Sequence, residues 1–199
     1  GVLSVTPYYN KPSQEGLFQH YRALSEVSPR PIILYNVPGR TGVNMEAETT
    51  LRLARSCTNI VAIKEASGKI EQIRQIIADR PEGFSVISGD DGMAFDLIKA
   101  GGEGVISVLG NALPGEFSEM VHHALAGNFE AAETENKRFT ETIRLLFKDG
   151  NPAGVKCMLS EMGYIENELR LPLVAAGDET KQQIIEELKR LKVQITASR

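Results

Sequence analysis

Tryptophan is absent, and the 199 residues hold only two cysteines and three histidines. Cys57 and Cys157 belong to no Cys-x-x-Cys pair, which argues against a disulfide framework or a cysteine-built zinc site. Two buried, reduced thiols in a cytoplasmic protein are expected instead. No apolar run exceeds a few residues, so no segment reads as a membrane-spanning helix. There is no basic block and no basic-aromatic cluster; 22 Lys and Arg stand against 26 Asp and Glu, for a formal net charge of −4. Neither a nucleic-acid nor a membrane partner is expected on that balance. The start shows no charged-then-apolar leader, so no signal peptide is expected. It opens Gly1-Val2-Leu3-Ser4-Val5, without Met and inside an apolar run, and a truncated, processed or partial sequence is expected.

What is present is an ordinary globular composition, 42% hydrophobic and 24% charged, enough for a packed core. Five short apolar runs recur: Val2 to Val5, Pro31 to Tyr35, Ile60 to Ile63, Phe84 to Ile87 and Val105 to Val108. They are continuous rather than alternating, which predicts strands covered on both faces, as in a parallel sheet. Their starts lie about 20 to 30 residues apart, the length of a strand–helix unit. Between them run helical patterns: 14–27, with Leu17, Tyr21 and Leu24; 47–56, with Leu51 and Ala54; a stripe of Ile70, Ile73 and Ile77; and 93–100. After Val108 only helices are predicted, over 115–125, 129–147, 152–162 and 179–191, with Asp178 as the cap of the last. The boundary is placed at 127/128, giving a βα part over 1–127 and a helical domain over 128–199. A doubly wound open sheet and part of an eight-stranded barrel both fit the five units. The first usually carries a glycine-rich phosphate loop, and neither Gly-x-Gly-x-x-Gly nor Gly-x-x-x-x-Gly-Lys-[Ser/Thr] occurs.

The residues at the carboxyl ends of the runs are the candidates for chemistry, since ligands bind there in parallel α/β folds. Lys64 ends an uninterrupted apolar strand, where desolvation favours the neutral amine that can attack a carbonyl; a solvated lysine or a pair with Glu65 is the plainer alternative. Tyr35 ends a second strand and could move a proton at the same mouth, or be a buried aromatic. Arg40, in Pro38-Gly39-Arg40-Thr41-Gly42, suits capture of a carboxylate. Tyr8 and Tyr9 point to opposite sides of an extended segment. Gly89 lets a small ligand approach the backbone. Asp90 and Asp91 diverge, with no histidine nearby, so capping of the next helix is expected and no metal.

In order and spacing, the segments VTPYYNKPSQEGLFQHYRAL, ILYNVPGRTG, IVAIKEASG, SVISGDD and GGEGVISV resemble the dihydrodipicolinate synthase family of pyruvate-dependent class I aldolases, which also includes N-acetylneuraminate lyases. The likeness continues to Asn151-Pro152, Val155-Lys156 and Leu169-Arg170-Leu171-Pro172. It implies an α/β fold, a partial (β/α)8 TIM barrel holding strands four to eight, followed by a C-terminal helical region. It implies a lyase that condenses pyruvate with aspartate semialdehyde in lysine and diaminopimelate biosynthesis, with no cofactor. By the same resemblance Lys64 matches the Schiff-base lysine, Tyr35 the general acid/base and Tyr9 a relay tyrosine that reaches a neighbouring subunit. Arg40 matches the residue that receives the semialdehyde carboxylate, Gly89 and Ile106 match pyruvate-pocket positions, and Tyr8 matches a position near a lysine-inhibitor site. A homo-oligomer, dimer or tetramer, is implied. The family's N-terminal strands, with a Gly-Thr-Thr-Gly-Glu loop that binds the pyruvate carboxylate, have no counterpart in the chain. A fragment, or an isolated chain that is inactive and aggregation-prone, is therefore expected. The alternatives are another pyruvate-dependent aldolase acting on a sugar acid, and a non-catalytic half-barrel partner.

Overall fold

Five apolar runs too short to hide both faces alone must stack edge to edge and bury one face under helices. The structure, a computed structural model, describes residues 1–193 and does this. The elements alternate as β1 (Val2–Val5), α1 (Gln14–Val27), β2 (Ile32–Asn36), α2 (Pro38–Thr41), α3 (Ala47–Ser56), β3 (Ile60–Glu65), α4 (Ile70–Asp79), β4 (Ser85–Ser88), α5 (Ala94–Lys99) and β5 (Gly104–Val105). All four strand pairings are parallel and the sheet order is β1-β2-β3-β4-β5. This is an α/β fold with a parallel sheet. α1 starts where expected because Ser13 Oγ accepts a hydrogen bond from the Gly16 N–H at 3.2 Å, satisfying one free amide of the first turn.

The strands are not covered on both faces. In β2 and β4 fully buried residues alternate with half-buried ones, and in β1 Val2, Leu3 and Val5 are exposed. Leu34, Ile63 and Val86 turn to the side where Leu17, Leu53 and Ile73 of the helices lie, in one hydrophobic core. The opposite face, with Ile33, Tyr35, Lys64 and Ile87, is covered only in part. A continuous apolar run thus marks a strand with two apolar faces, of which the described residues pack one.

The fifth strand is shorter than expected, Gly104–Val105 rather than Val105 to Val108. Ser107 Oγ accepts from the Gly110 N–H at 2.7 Å and turns the chain into a single 3-10 turn over Leu109–Asn111.

The described chain divides into two compact units. One comprises Gly1–Ile106 and Ala124–Asn128; the other comprises Ser107–His123 and the residues from Phe129 onward. α6 (Pro114–Leu125), α7 (Phe129–Arg138), α8 (Thr140–Lys148), α9 (Ala153–Glu161) and α10 (Asp178–Arg190) complete the elements. The single helix expected over 129–147 is two. At Phe139 the N–H turns back to the Asn136 carbonyl, three residues away, at 3.1 Å, and the fully buried Phe139 ring meets Phe117 edge-on at 6.0 Å. The cap of α10 is Gly177, not Asp178, which lies in the first turn; the Gly177 N–H is held by Asp149 Oδ2 at 2.9 Å. Cys57 and Cys157 are both buried free thiols. Among the described residues no helix is long and apolar enough to cross a membrane.

Candidate active site

β3 reads Ile60-Val61-Ala62-Ile63-Lys64-Glu65, so strand alternation sends Lys64 and Glu65 to opposite faces. Lys64 therefore does not pair with Glu65. It lies in register with Tyr35 on β2 and Ile87 on β4. The Lys64 Nζ stands 4.4 Å from the centre of the Tyr35 ring, over its face. A cation there is attracted by the ring quadrupole.

That juxtaposition depends on a slip in the ladder. Ile32 pairs with Ile60 but Ile33 pairs with Ala62, so Val61 is passed over. Without the slip Tyr35 would face Ile63, and Lys64 would lie opposite Asn36. One residue of register turns every later side chain to the other face of the sheet.

Burial sets the electrostatics of the pair. Desolvation pushes the Lys64 ammonium below its ordinary 10.5; Asp91 opposes this and Arg40 adds to it. Desolvation pushes the Tyr35 phenol above its ordinary 10.0, against Arg40 and with Asp90. The lysine is thus biased toward its nucleophilic form while the tyrosine keeps its proton to give.

Gly89 follows β4 and packs on this lysine. A Cβ there would lie 2.9 Å from both Lys64 Cε and Ala66 Cβ. Its N–H donates to the Glu65 carbonyl at 2.7 Å. Asp90 Oδ1 accepts from the Gly92 N–H at 2.8 Å, the cap expected of it. Ile106, 40% exposed, donates its N–H to the Ser88 carbonyl at 2.9 Å. Since Lys64 pairs with Ile87 and Ile87 with Gly104, alternation brings Ile106 to the Lys64 face. Arg40 sits exposed on α2, whose end at Gly42 is in the left-handed region with φ 73.

Tyr8 and Tyr9 are not gathered into this cluster. They are 67% and 89% exposed, and Tyr9 stands at φ 63, a backbone conformation few non-glycine residues adopt.

Beneath the site lies a polar network that the sequence does not announce, because its members, Asn36, Glu65 and Gln72, are separated along the chain. Glu65 is 1% exposed. Its oxygens accept from Asn36 Nδ2 at 3.3 and 3.1 Å, from Gln72 Nε2 at 3.2 Å and from the Ser67 N–H at 2.6 Å. Asn36 Oδ1 accepts from the Met45 N–H at 2.9 Å, and its amide also donates to Asn44. The signal in the sequence is a polar residue one step beyond each candidate catalytic residue, Asn36 after Tyr35 and Glu65 after Lys64.

With known proteins the agreement is extensive. The family model described as the dihydrodipicolinate synthetase family matches residues 1–191. Proteins named 4-hydroxy-tetrahydrodipicolinate synthase from Parabacteroides distasonis and Phocaeicola vulgatus are 59% and 60% identical over 192 residues. Each match takes in 96% of this chain, and the chain spans 65% of the length of either relative. The dihydrodipicolinate synthase structure from Thermotoga maritima superposes with a TM-score of 0.95 at 45% identity, over 98% of this chain and 67% of that one. The Acinetobacter baumannii enzyme complexed with pyruvate gives 0.93 at 42%, over 96% and 66%. The Cyanidioschyzon merolae enzyme with lysine bound gives 0.93 at 39%, over 98% and 66%. The chain belongs to the dihydrodipicolinate synthetase family.

Proposed function

We propose that the protein is a lyase of lysine and diaminopimelate biosynthesis that condenses pyruvate with aspartate semialdehyde through a Schiff base on Lys64. The observation that supports this most is the Lys64 amine over the Tyr35 ring, 4.4 Å from its centre, at the carboxyl ends of two paired strands. Five parallel strands in sequential order, with one face partly open, support reading residues 1–127 as strands four to eight of a (β/α)8 barrel and 128–199 as a helical domain.

The neutral Lys64 amine attacks the pyruvate ketone carbon. The resulting oxygen takes one proton from the attacking nitrogen and one from the Tyr35 hydroxyl and leaves as water, and an iminium forms beside the Tyr35 phenolate. The phenolate takes a proton from the methyl group, and the electron pair moves to make an enamine. The enamine carbon attacks the semialdehyde's aldehyde carbon; the new alkoxide takes the proton back from Tyr35, and the iminium returns. The semialdehyde's amino group then adds to the iminium carbon; one of its protons passes to the Lys64 nitrogen, which leaves as the free amine, and the other returns to the Tyr35 phenolate, leaving the closed ring as an imine. One water lost at imine formation balances the condensation, and the lysine supplies the electron sink, so the chemistry calls for no cofactor. Arg40 holds the semialdehyde carboxylate. Gly89 and Ile106 bound the pyruvate methyl and carboxylate. Tyr9, projecting outward, serves the proton relay of a neighbouring subunit in a homo-oligomer, and Tyr8 stands near a lysine-inhibitor site. The related enzymes solved with pyruvate and with lysine support those two ligands. The synthase name carried by relatives at 59% and 60% identity favours aspartate semialdehyde over a sugar acid.

Borohydride reduction in the presence of pyruvate, followed by peptide mass spectrometry, tests this reading. A covalent adduct at Lys64 is expected, absent from Lys64→Ala and slowed in Tyr35→Phe. No adduct at Lys64, or equal labelling of many lysines, overturns it. A panel of aldehydes at constant pyruvate then identifies the second substrate.

A further inference from the structure

A carboxylate that is 1% exposed must be matched by donors, since burying it without hydrogen bonds is strongly unfavourable. Glu65 is matched on both oxygens, and by donors alone: the Asn36 amide, the Gln72 amide and the Ser67 N–H. These groups belong to the end of β2, to α4 and to the loop after β3. Asn36 and Glu65 are themselves register partners, one step beyond Tyr35 and Lys64. That pair closes the run of four pairings that follows the passed-over Val61. The Ala66 N–H donates to the Asn36 carbonyl at 2.8 Å, and the Gly89 N–H to the Glu65 carbonyl at 2.7 Å. The same two residues therefore hold the strand ends and the glycine that packs on the Lys64 stem.

We propose that Glu65 is a positioning residue: its buried carboxylate, clamped by Asn36, Gln72 and the Ser67 amide, pins the slipped register of β2 on β3 and so sets Lys64 over Tyr35. The role rests on the reading of Lys64 as the Schiff-base amine and extends it to the residues behind the sheet. Gln at this position keeps the shape but turns an NH2 toward donors, and one carbonyl oxygen cannot serve them all. Asn36→Asp combined with Glu65→Gln reverses the polarity of the pair and restores a donor facing an acceptor between the two strands, while giving up the Asn36 amide's bonds to Asn44 and the Met45 carbonyl.

The test follows Lys64 in the full chain by two independent readouts. The first is the pH dependence of its acetylation by acetic anhydride, read by peptide mass spectrometry without pyruvate. The groups bearing on Lys64 there are Tyr35 from β2, Asp91 after β4 and Arg40 from α2. The second is the rate of the pyruvate–borohydride adduct. Glu65→Gln is expected to raise the acetylation midpoint toward that of an ordinary lysine and to slow the adduct about tenfold, as for a nucleophile displaced by a fraction of an ångström. The double variant is expected to move both back toward the parent, recovering about threefold of the adduct rate, as coupled partners do. A folded Glu65→Gln chain with an unchanged midpoint overturns the proposal. If that variant does not fold, Gln72→Ala decides, since it removes one partly buried donor and leaves the carboxylate in place. An effect of about twofold in the same direction supports the role, and an unchanged Lys64 overturns it. If the parent chain forms no pyruvate adduct, the Schiff-base reading fails by itself, while the acetylation midpoint still decides whether Glu65 positions Lys64.

Discussion

At the scale of single residues, the site is a matter of where water is excluded. Lys64 lies in a half-buried strand end, and desolvation lowers its pKa from 10.5. Its folded-state value lies below its unfolded one, so the energetic penalty of the ammonium is fully present below the folded pKa and is relieved as pH rises from there to 10.5. Two outcomes are expected. Acetylation of Lys64 reaches its midpoint below pH 10.5 in the folded chain and returns to that value in urea. Lys64→Met, which keeps the aliphatic stem and removes the charge, has a urea midpoint near neutral pH no lower than the parent's. Gly89 offers a second residue-level test. A methyl there meets Lys64 Cε and Ala66 Cβ, each at 2.9 Å; the lysine stem swings away, and the loop carrying Ala66 must shift by a few tenths of an ångström. Gly89→Ala should fold yet form the pyruvate adduct about tenfold more slowly, as a small displacement of a nucleophile requires; an adduct rate equal to the parent's would contradict the packing described.

At the scale of elements, local chemistry decided most boundaries and tertiary contact decided the exceptions. α1 and α3 begin and end where their periodicity says, and Ser13 supplies the first of them with a cap. The 129–147 segment has an unbroken helical pattern, yet it bends at Phe139 because burying that ring against Phe117 outweighs one regular turn. The junction of α8 and α9 shows the same priority of contact over propensity. Gly154 sits in a helix, where glycine is unfavourable, because a Cβ would fall 2.4 Å from the Leu146 carbonyl oxygen and 2.6 Å from its Cα. Backbone cannot yield as a side chain tip can. Gly154→Ala is therefore expected to lower stability by about 2 kcal/mol, the cost of overpacking, despite its better helix propensity. Urea denaturation with an unchanged slope measures it; a gain in stability would show that the two helices separate freely.

At the scale of the whole molecule, the sheet has one finished face and one open one. Helices cover Leu34, Ile63 and Val86, while Leu3, Val5 and Ile106 remain 46%, 39% and 40% exposed on or beside the other side. Among the described residues β1 is an edge strand with apolar side chains and one row of backbone groups outside the ladder, the arrangement that invites pairing with another chain. The isolated chain should self-associate with rising concentration. Leu3→Lys, which places a charge on the exposed face of that edge, should shift sedimentation toward smaller species without altering the circular dichroism of the fold. Equal association of both proteins would mean that β1 is not the sticking edge.

The apolar runs determined by themselves that there would be parallel strands alternating with helices, since a chain must bury such runs and helices are the local way to cover them. Lys64, Tyr35, Arg40 and Gly89 were legible as candidates for the same reason: chemistry-bearing residues stood where those runs ended. Burial was misjudged, because a continuous apolar strand records two faces suited to burial and not whether both are covered. The register was not legible either. Passing over Val61 is a relation between two strands, and neither strand's sequence contains it; only their pairing puts the Lys64 amine over the Tyr35 ring. The clamp beneath them was hidden for the same reason, since Asn36, Glu65 and Gln72 are separated along the chain and become one network only when β2, β3 and α4 meet.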